Sequence, residues 1–229
     1  MSGIRDIRQV VWDGRPVAGC CDARGCDQFF DSGFARRTAD RYRKHGLSRT
    51  AARIVDLASR HGVRDATVLE IGGGVGDIQL ELLKRGAAKA TNLELSPGYE
   101  EEAARLLAES GFTGRVERRL HDIAADPDAV EPADVVVLNR VVCCYPDYRR
   151  LLSAAAGHAR QLVVFSHPPR NPVSRTVIGA ENLRNRLTGR EFRAYVHPPG
   201  AMLAVLAERG MRPVSPTQGR LWRVEAVAR

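Results

Sequence analysis

The sequence predicts an α/β fold built on a mostly parallel sheet of seven strands. Three observations carry that expectation. Short apolar runs alternate with segments of helical period from about residue 48 to residue 229. Such alternation calls for parallel strands with helices on both faces. One run, Val68-Leu69-Glu70-Ile71, ends in Gly72-Gly73-Gly74-Val75-Gly76, a strand-to-helix turn almost stripped of side chains. Another, 133–138, is apolar with almost no break, as a strand buried on both faces must be.

The elements follow in order. Residues 1–28 are polar and Gly-rich with no sustained period, and they read as an arm. Residues 29–46 set Phe29, Phe30, Phe34 and Tyr42 among Arg36, Arg37, Arg41 and Arg43, an amphipathic helical pattern suited to a lid. Ser48 caps a helix that runs through Arg60. Strand 66–71 leads through the glycines into helix 76–85, and strand 89–94 leads through Ser96-Pro97 into helix 97–110. Strand 114–119, strand 134–139, helix 147–159 and strand 161–166 complete the alternation. His167-Pro168-Pro169-Arg170-Asn171-Pro172 then interrupts it before helices at 173–187 and 199–209. Strands near 211–216 and 221–227 read as a β-hairpin at the C-terminal edge. The expected division is an N-terminal arm and lid, 1–47, and one ligand-binding domain, 48–229.

The glycine turn lets a ligand lie against backbone, and the following helix offers free N–H groups and a positive dipole end. The spacing differs from the G-x-G-x-x-G of dinucleotide sites. Glu70 stands two residues ahead of Gly72, Gly74 and Gly76, with Gly73 between them, and suits a positively charged amino group. Glu94 ends the second strand, where a carboxylate holds a ribose diol, and Leu95 and Ser96 continue that edge. Asp122 follows the third strand, placed to accept an adenine amino group with Ile123 against the ring. Asn139 and Arg140 end the fourth, where the carboxyl edge of the sheet faces the ligand. Amino group, ribose and adenine together describe S-adenosylmethionine, which carries no phosphate.

In that order and spacing, the segments make residues 48–229 resemble class I S-adenosylmethionine-dependent methyltransferases, with their Rossmann-like fold. Three further stretches are similar to the magnesium-protoporphyrin IX O-methyltransferase-like group. They are Phe29-Phe30-Asp31-Ser32-Gly33-Phe34-Ala35-Arg36, Leu138-Asn139-Arg140-Val141-Val142-Cys143-Cys144-Tyr145-Pro146-Asp147-Tyr148 and Phe192-Arg193-Ala194-Tyr195-Val196-His197. The resemblance implies S-adenosylmethionine as cofactor, S-adenosylhomocysteine as product, and N-terminal helices over the cofactor. Tyr42 or Arg43 would then touch the methionine part or the acceptor, and His197 would join the catalytic candidates.

Composition narrows the acceptor. The net charge is +8, and Lys44, Lys84 and Lys89 are the only lysines, so the positive charge is nearly all arginine. Arginine binds two oxygens of a carboxylate at once, which suits an acidic small molecule. The N-terminal residues have no apolar signal region and no apolar run reaches 18 residues, so a cytoplasmic location is expected and no membrane span. Cys20, Cys21, Cys26, Cys143 and Cys144 lack zinc spacing, and no metal site is expected. Local packing is one reading of the N-terminal cysteines, with redox or metal chemistry as alternatives.

Methyl transfer is an in-line displacement that needs the acceptor held about 3 Å from the methyl. A phenol or amine must lose a proton, which makes His197, His167 and His121 candidate bases and Tyr145 a polar neighbour. A carboxylate, already ionised, needs only positioning and partial desolvation. The leading expectation is O-methylation of a small molecule, a carboxylate among the options. N-, C- or S-methylation of a specialised metabolite is the alternative. A nucleic-acid methyltransferase is disfavoured, because Asn139-Arg140-Val141-Val142 lacks the Pro-Pro-aromatic run that holds a flipped base. A non-catalytic S-adenosylmethionine-binding protein is the remaining reading. Oligomeric state is not legible.

Overall fold

The computed structural model describes residues 23–217 and 219–229. Cys20, Cys21 and most of the expected arm lie outside them. The chain forms α1 (Ala23–Phe29), α2 (Ser32–His45), α3 (Arg49–Arg60), β1 (Thr67–Ile71), α4 (Asp77–Lys84), β2 (Lys89–Glu94) and α5 (Glu100–Ser110). It continues through β3 (Val116–Leu120), β4 (Ala133–Leu138), α6 (Tyr148–His158), β5 (Ala159–His167), α7 (Pro172–Leu187) and α8 (Pro199–Glu208), and closes with β6 (Arg212–Pro213) and β7 (Arg223–Ala228).

The strands form one seven-stranded sheet in the order β3-β2-β1-β4-β5-β7-β6. Strands β1 to β5 are parallel, while β7 runs antiparallel to both β5 and β6. The chain winds outward from β1 in one direction and restarts at β4 in the other. The turns after β1 and β4 therefore diverge, and a crevice opens between them at the carboxyl edge.

Alternation along the strands sends side chains to two cores. Val68, Val135, Val137, Leu162 and Val164 face α3 and α4, meeting Ile54, Val55, Leu57, Ile78 and Leu82. Leu69, Ile71, Val136, Leu138, Val163 and Phe165 face α6 and α8, meeting Leu151, Leu152, Met202 and Leu206. Both faces are sealed, so the strands can be apolar on both sides. A third cluster joins Ala35 and Ala39 of α2 to Leu80, Tyr99, Leu106 and Leu107, which lays the N-terminal helices over the β2 side of the crevice.

Several boundaries differ from expectation for local reasons. The expected helix 29–46 is broken at Phe30-Asp31, because Asp31 Oδ1 accepts the Phe34 N–H at 2.7 Å and starts α2 afresh. Residues Ala23–Phe29, expected within the arm, are helical. The helix expected at 97 begins as a 3-10 turn, Pro97–Tyr99. Ser96 does not cap it with its side chain; its hydroxyl donates to the Phe30 carbonyl at 2.9 Å. A further turn, Thr113–Arg115, delays β3 to Val116. Strand β6 is only two residues long; Pro213 has no N–H for the ladder, and pairing continues just to the Val214 N–H on Ala226.

Gly73 shows how closely the turn is packed from behind. A Cβ there would lie 2.1 Å from Asn92 Nδ2 and 2.9 Å from Glu70 Cδ. Gly73→Ala should therefore cost about 1–3 kcal/mol by overpacking. Gly114→Ala, where a Cβ meets nothing within 4 Å, should stay within about 0.5 kcal/mol of wild type. Equal denaturant midpoints for the two variants would refute this packing account.

Candidate active site

The pocket sits at that switch point. Its floor is the turn Gly72–Val75 with Asp77; Leu93, Glu94 and Leu95 form one wall, and His121, Asp122, Ile123 and Tyr145 form the next. Asn139, Arg140, Val141 and Cys144 close the β4 side, and Cys26, Phe30, Phe34, Thr38 and Arg41 of the N-terminal helices cover it. Ser48, the cap of α3, also lines it.

Gly72 has φ of +64°, and a Cβ would lie 2.5 Å from Val141 Cγ2, so the two turns meet through a glycine. Its N–H donates to the Leu93 carbonyl at 2.7 Å. Gly76 has φ of +83° and precedes α4 as its N-cap; it lies behind the pocket wall.

Three carboxylates gather around the turn, Glu70 and Glu94 buried and Asp77 partly so. Glu94 accepts N–H bonds from Gly74 at 2.8 Å, Leu95 at 2.8 Å and Ser96 at 3.2 Å, which fixes its plane and leaves it against the cavity. Glu70 accepts the Gln79 N–H at 3.2 Å, and Asp77 accepts the Ile78 N–H at 3.1 Å. Burial is the largest influence on all three and pushes each above its ordinary value. For Glu70 the neighbouring Asp77 adds to the rise. Arg118 opposes it from behind the turn: its guanidinium binds Glu100 at 2.8 Å and the Gly74 carbonyl at 2.9 Å.

Beyond the acids, Asp122 Oδ1 accepts the Ala124 N–H at 2.9 Å and Oδ2 accepts the Tyr145 hydroxyl at 2.9 Å. Ile123 is buried beside them. Arg140 has φ of +61°, held there by its N–H bond to Ser166 Oγ at 2.8 Å. Ser166 Oγ in turn donates to Asn139 Oδ1 at 3.0 Å. The Arg140 guanidinium lies 4.8 Å from the Trp222 ring centroid, and burial lowers its pKa.

Most residues expected at the cofactor thus come together: Glu70, Gly72, Gly73, Gly74, Glu94, Leu95, Asp122, Ile123, Asn139 and Arg140, with Tyr145 beside them. Others do not. Tyr42 is turned outward, donating to Glu81 at 2.7 Å and accepting from Lys84 at 3.1 Å. Burial, reinforced by Glu81, pushes its phenol up to about 12. Arg43 is spent on Glu109 and Glu102 of α5. His167 is buried behind the wall, bonded to the Pro168 carbonyl at 2.9 Å and facing Glu225 at 3.5 Å. His197 lies outside the lining; its Nε2 is 3.0 Å from the Tyr145 carbonyl, and burial lowers its pKa. Ser96 is tied to Phe30, as above.

Sequence reasoning passed over Asp77 and Tyr99 as wall residues and Arg118 behind the turn, and it took Phe30, Phe34 and Arg41 as part of the lid without singling them out. An acid in the first turn of a helix ordinarily complements the dipole, so Asp77 carries no distinctive signal. Arg41 is one arginine among many on α2.

A family model described as a methyltransferase domain matches residues 40–215. The chain belongs to that family. No curated protein matches it significantly. Among solved structures, a magnesium protoporphyrin IX methyltransferase from Synechocystis PCC 6803 with bound S-adenosylhomocysteine is 19% identical with a TM-score of 0.69, covering 91% of this chain and 100% of that one. An O-methyltransferase family protein from Burkholderia thailandensis is 20% identical, TM-score 0.65, over 86% of this chain and 61% of that one. Human N-acetylserotonin methyltransferase, in complex with S-adenosylmethionine, is 16% identical, TM-score 0.60, over 86% and 55%. The fold is the Rossmann-like one of class I methyltransferases, and S-adenosylmethionine is the methyl donor. The walls are compatible with that cofactor, since Glu70, Asp77 and Glu94 bring three carboxyls to the pocket, where its positive charges could be balanced.

Glu94→Ala should weaken S-adenosylhomocysteine binding by about 1–3 kcal/mol in calorimetry. Tyr42→Phe should change it by no more than about twofold, because the phenol faces away. The opposite ranking would displace the cofactor from this pocket.

Proposed function

We propose that the chain methylates an oxygen of a small acidic molecule, with a carboxylate as the acceptor group. One juxtaposition supports this reading above others. Arg41 and Arg140 both line the pocket, each near enough to Asp77 to act on its carboxyl, while His167 and His197 are directed elsewhere. His121 does line the pocket, but it stands next to Asp122 with its Nε2 2.7 Å from the Asp126 carbonyl.

S-adenosylmethionine supplies an electrophilic methyl group on a sulfonium. The residues of the chain do the rest. Glu94 would take the ribose hydroxyls and Asp122 the adenine amino group, with Ile123 against the ring. Glu70 and Asp77 would balance the ammonium and sulfonium charges. Arg41 and Arg140 would turn an acceptor carboxylate toward the methyl. Such an acceptor has a pKa near 4–5 and arrives ionised, so the site needs no base. It needs orientation and a shielded cavity, which Phe30 and Phe34 provide from above. The structural likeness makes magnesium protoporphyrin IX, with its propionate groups, the first acceptor to test, followed by simple aromatic acids.

Reaction with methyl-labelled S-adenosylmethionine and each acid should give a product whose label is released as methanol in mild base. Arg41→Gln should lower kcat/KM for the acid on the order of 10–100-fold and leave S-adenosylhomocysteine affinity unchanged. A base-stable label would transfer the assignment to nitrogen, carbon or sulfur acceptors.

A further inference from the structure

Helix α7 is built inside out. Its one buried residue is Asn185, and its outward stripe is Val173, Val177, Ala180, Leu183 and Leu187. Four of the six large apolar side chains exposed among the described residues lie on this helix, with Leu187 at 77% exposure and Val173 at 71%. The inward face holds on through polar bonds. Asn182 exchanges two hydrogen bonds with the Ala194 backbone, at 2.8 and 2.9 Å, and Asn185 donates to the Phe192 carbonyl at 3.2 Å. A helix that only covered a core would turn the same pattern the other way.

The segment that carries the stripe has a net positive charge. Residues 170–193 contain Arg170, Arg175, Arg184, Arg186, Arg190 and Arg193 against Glu181 and Glu191, a net +4 (6 − 2), half of the +8 of the whole chain. A fifth exposed apolar side chain, Leu221, precedes β7. Because Arg223 pairs with His167, Leu221 lies at the end of the sheet from which α7 departs.

We infer that α7 is a docking surface for an anionic lipid bilayer. An apolar stripe accompanied by arginines can lie in the plane of a membrane interface, its aliphatic side chains among the acyl chains and its guanidinium groups against lipid phosphates. Charge argues against a second copy of this chain as the occupant, since two faces of net +4 would repel. The apolar stripe argues against nucleic acid, which would be met by polar and aromatic side chains. No α7 residue lines the methyl-transfer pocket, so the surface is separate from the site.

Vesicle co-sedimentation of the full chain tests this. Vesicles of phosphatidylcholine mixed with phosphatidylglycerol should bind the protein, and pure phosphatidylcholine should not. Leu183→Asp with Leu187→Asp, and separately Arg184→Glu with Arg186→Glu, should each reduce anionic partitioning about tenfold or more. Both double variants alter exposed side chains and should keep wild-type affinity for S-adenosylhomocysteine, which verifies the fold. Equal sedimentation with both vesicle types, or variants that bind like wild type, would overturn the proposal. So would a dimer in solution that Leu183→Asp with Leu187→Asp dissociates, which would assign the stripe to self-association.

Discussion

The gathering of Glu70, Asp77 and Glu94 around one glycine turn governs the rest of this structure. Three carboxylates so close together and so poorly hydrated disfavour their own ionisation. The neighbouring groups are arranged to limit that cost. Backbone N–H groups of Gly74, Leu95, Ser96, Gln79 and Ile78 all point at carboxylate oxygens, and Arg118 braces the turn from behind. Gly73 must lack a side chain for Asn92 and Glu70 to fit. The turn thus gathers three carboxyls that ionise reluctantly on their own, and a cationic ligand beside them would favour the ionised forms.

The balance has a pH dependence of definite sign. A carboxyl whose folded-state pKa is raised contributes stability that is complete below its ordinary value and is lost as pH rises through the raised one. The ligand-free protein should therefore lose the contribution of this trio toward neutral pH. A cationic ligand favours the ionised forms and restores it, so cofactor and protons compete for the same three groups.

The sheet was legible in the sequence because its signals are local. The run at 133–138 and the acids ending β1 and β2 need no knowledge of tertiary contacts, and β2 falls at 89–94 as expected. Pocket residues carried by strand ends and their turns were legible for the same reason. What failed were inferences about side chains whose direction tertiary packing decides. Tyr42 and Arg43 lie on an amphipathic helix whose rotation about its axis is set by packing on α5, and that rotation sends both outward while Arg41 turns in. His167 sits at the end of β5, yet strand alternation and the antiparallel β7 place it against Glu225 instead of in the pocket. The interruption at Phe30-Asp31 is a cap, visible in sequence as Asp-Ser-Gly but outweighed there by the longer amphipathic pattern.

The two cationic regions have different surroundings. Arg41 and Arg140 share the pocket with Asp77, and Arg140 is held by Ser166 and Trp222 in a backbone conformation that non-glycine residues seldom adopt. The arginines of α7 stand in solvent beside aliphatic side chains. On the proposed reading, one set would orient a single acceptor anion and the other would meet an extended anionic surface.

Glu70, Asp77 and Glu94 stand where a cationic ligand would favour their ionisation. Calorimetric titration of S-adenosylmethionine at several pH values, in buffers of different ionisation enthalpy, tests this most directly. The account predicts net proton release on binding that grows as pH falls from neutral toward the ordinary carboxylate range, with affinity falling in step, and a smaller release for S-adenosylhomocysteine, which lacks the sulfonium charge. Binding with no proton release at any pH, equally tight in acid, would contradict it.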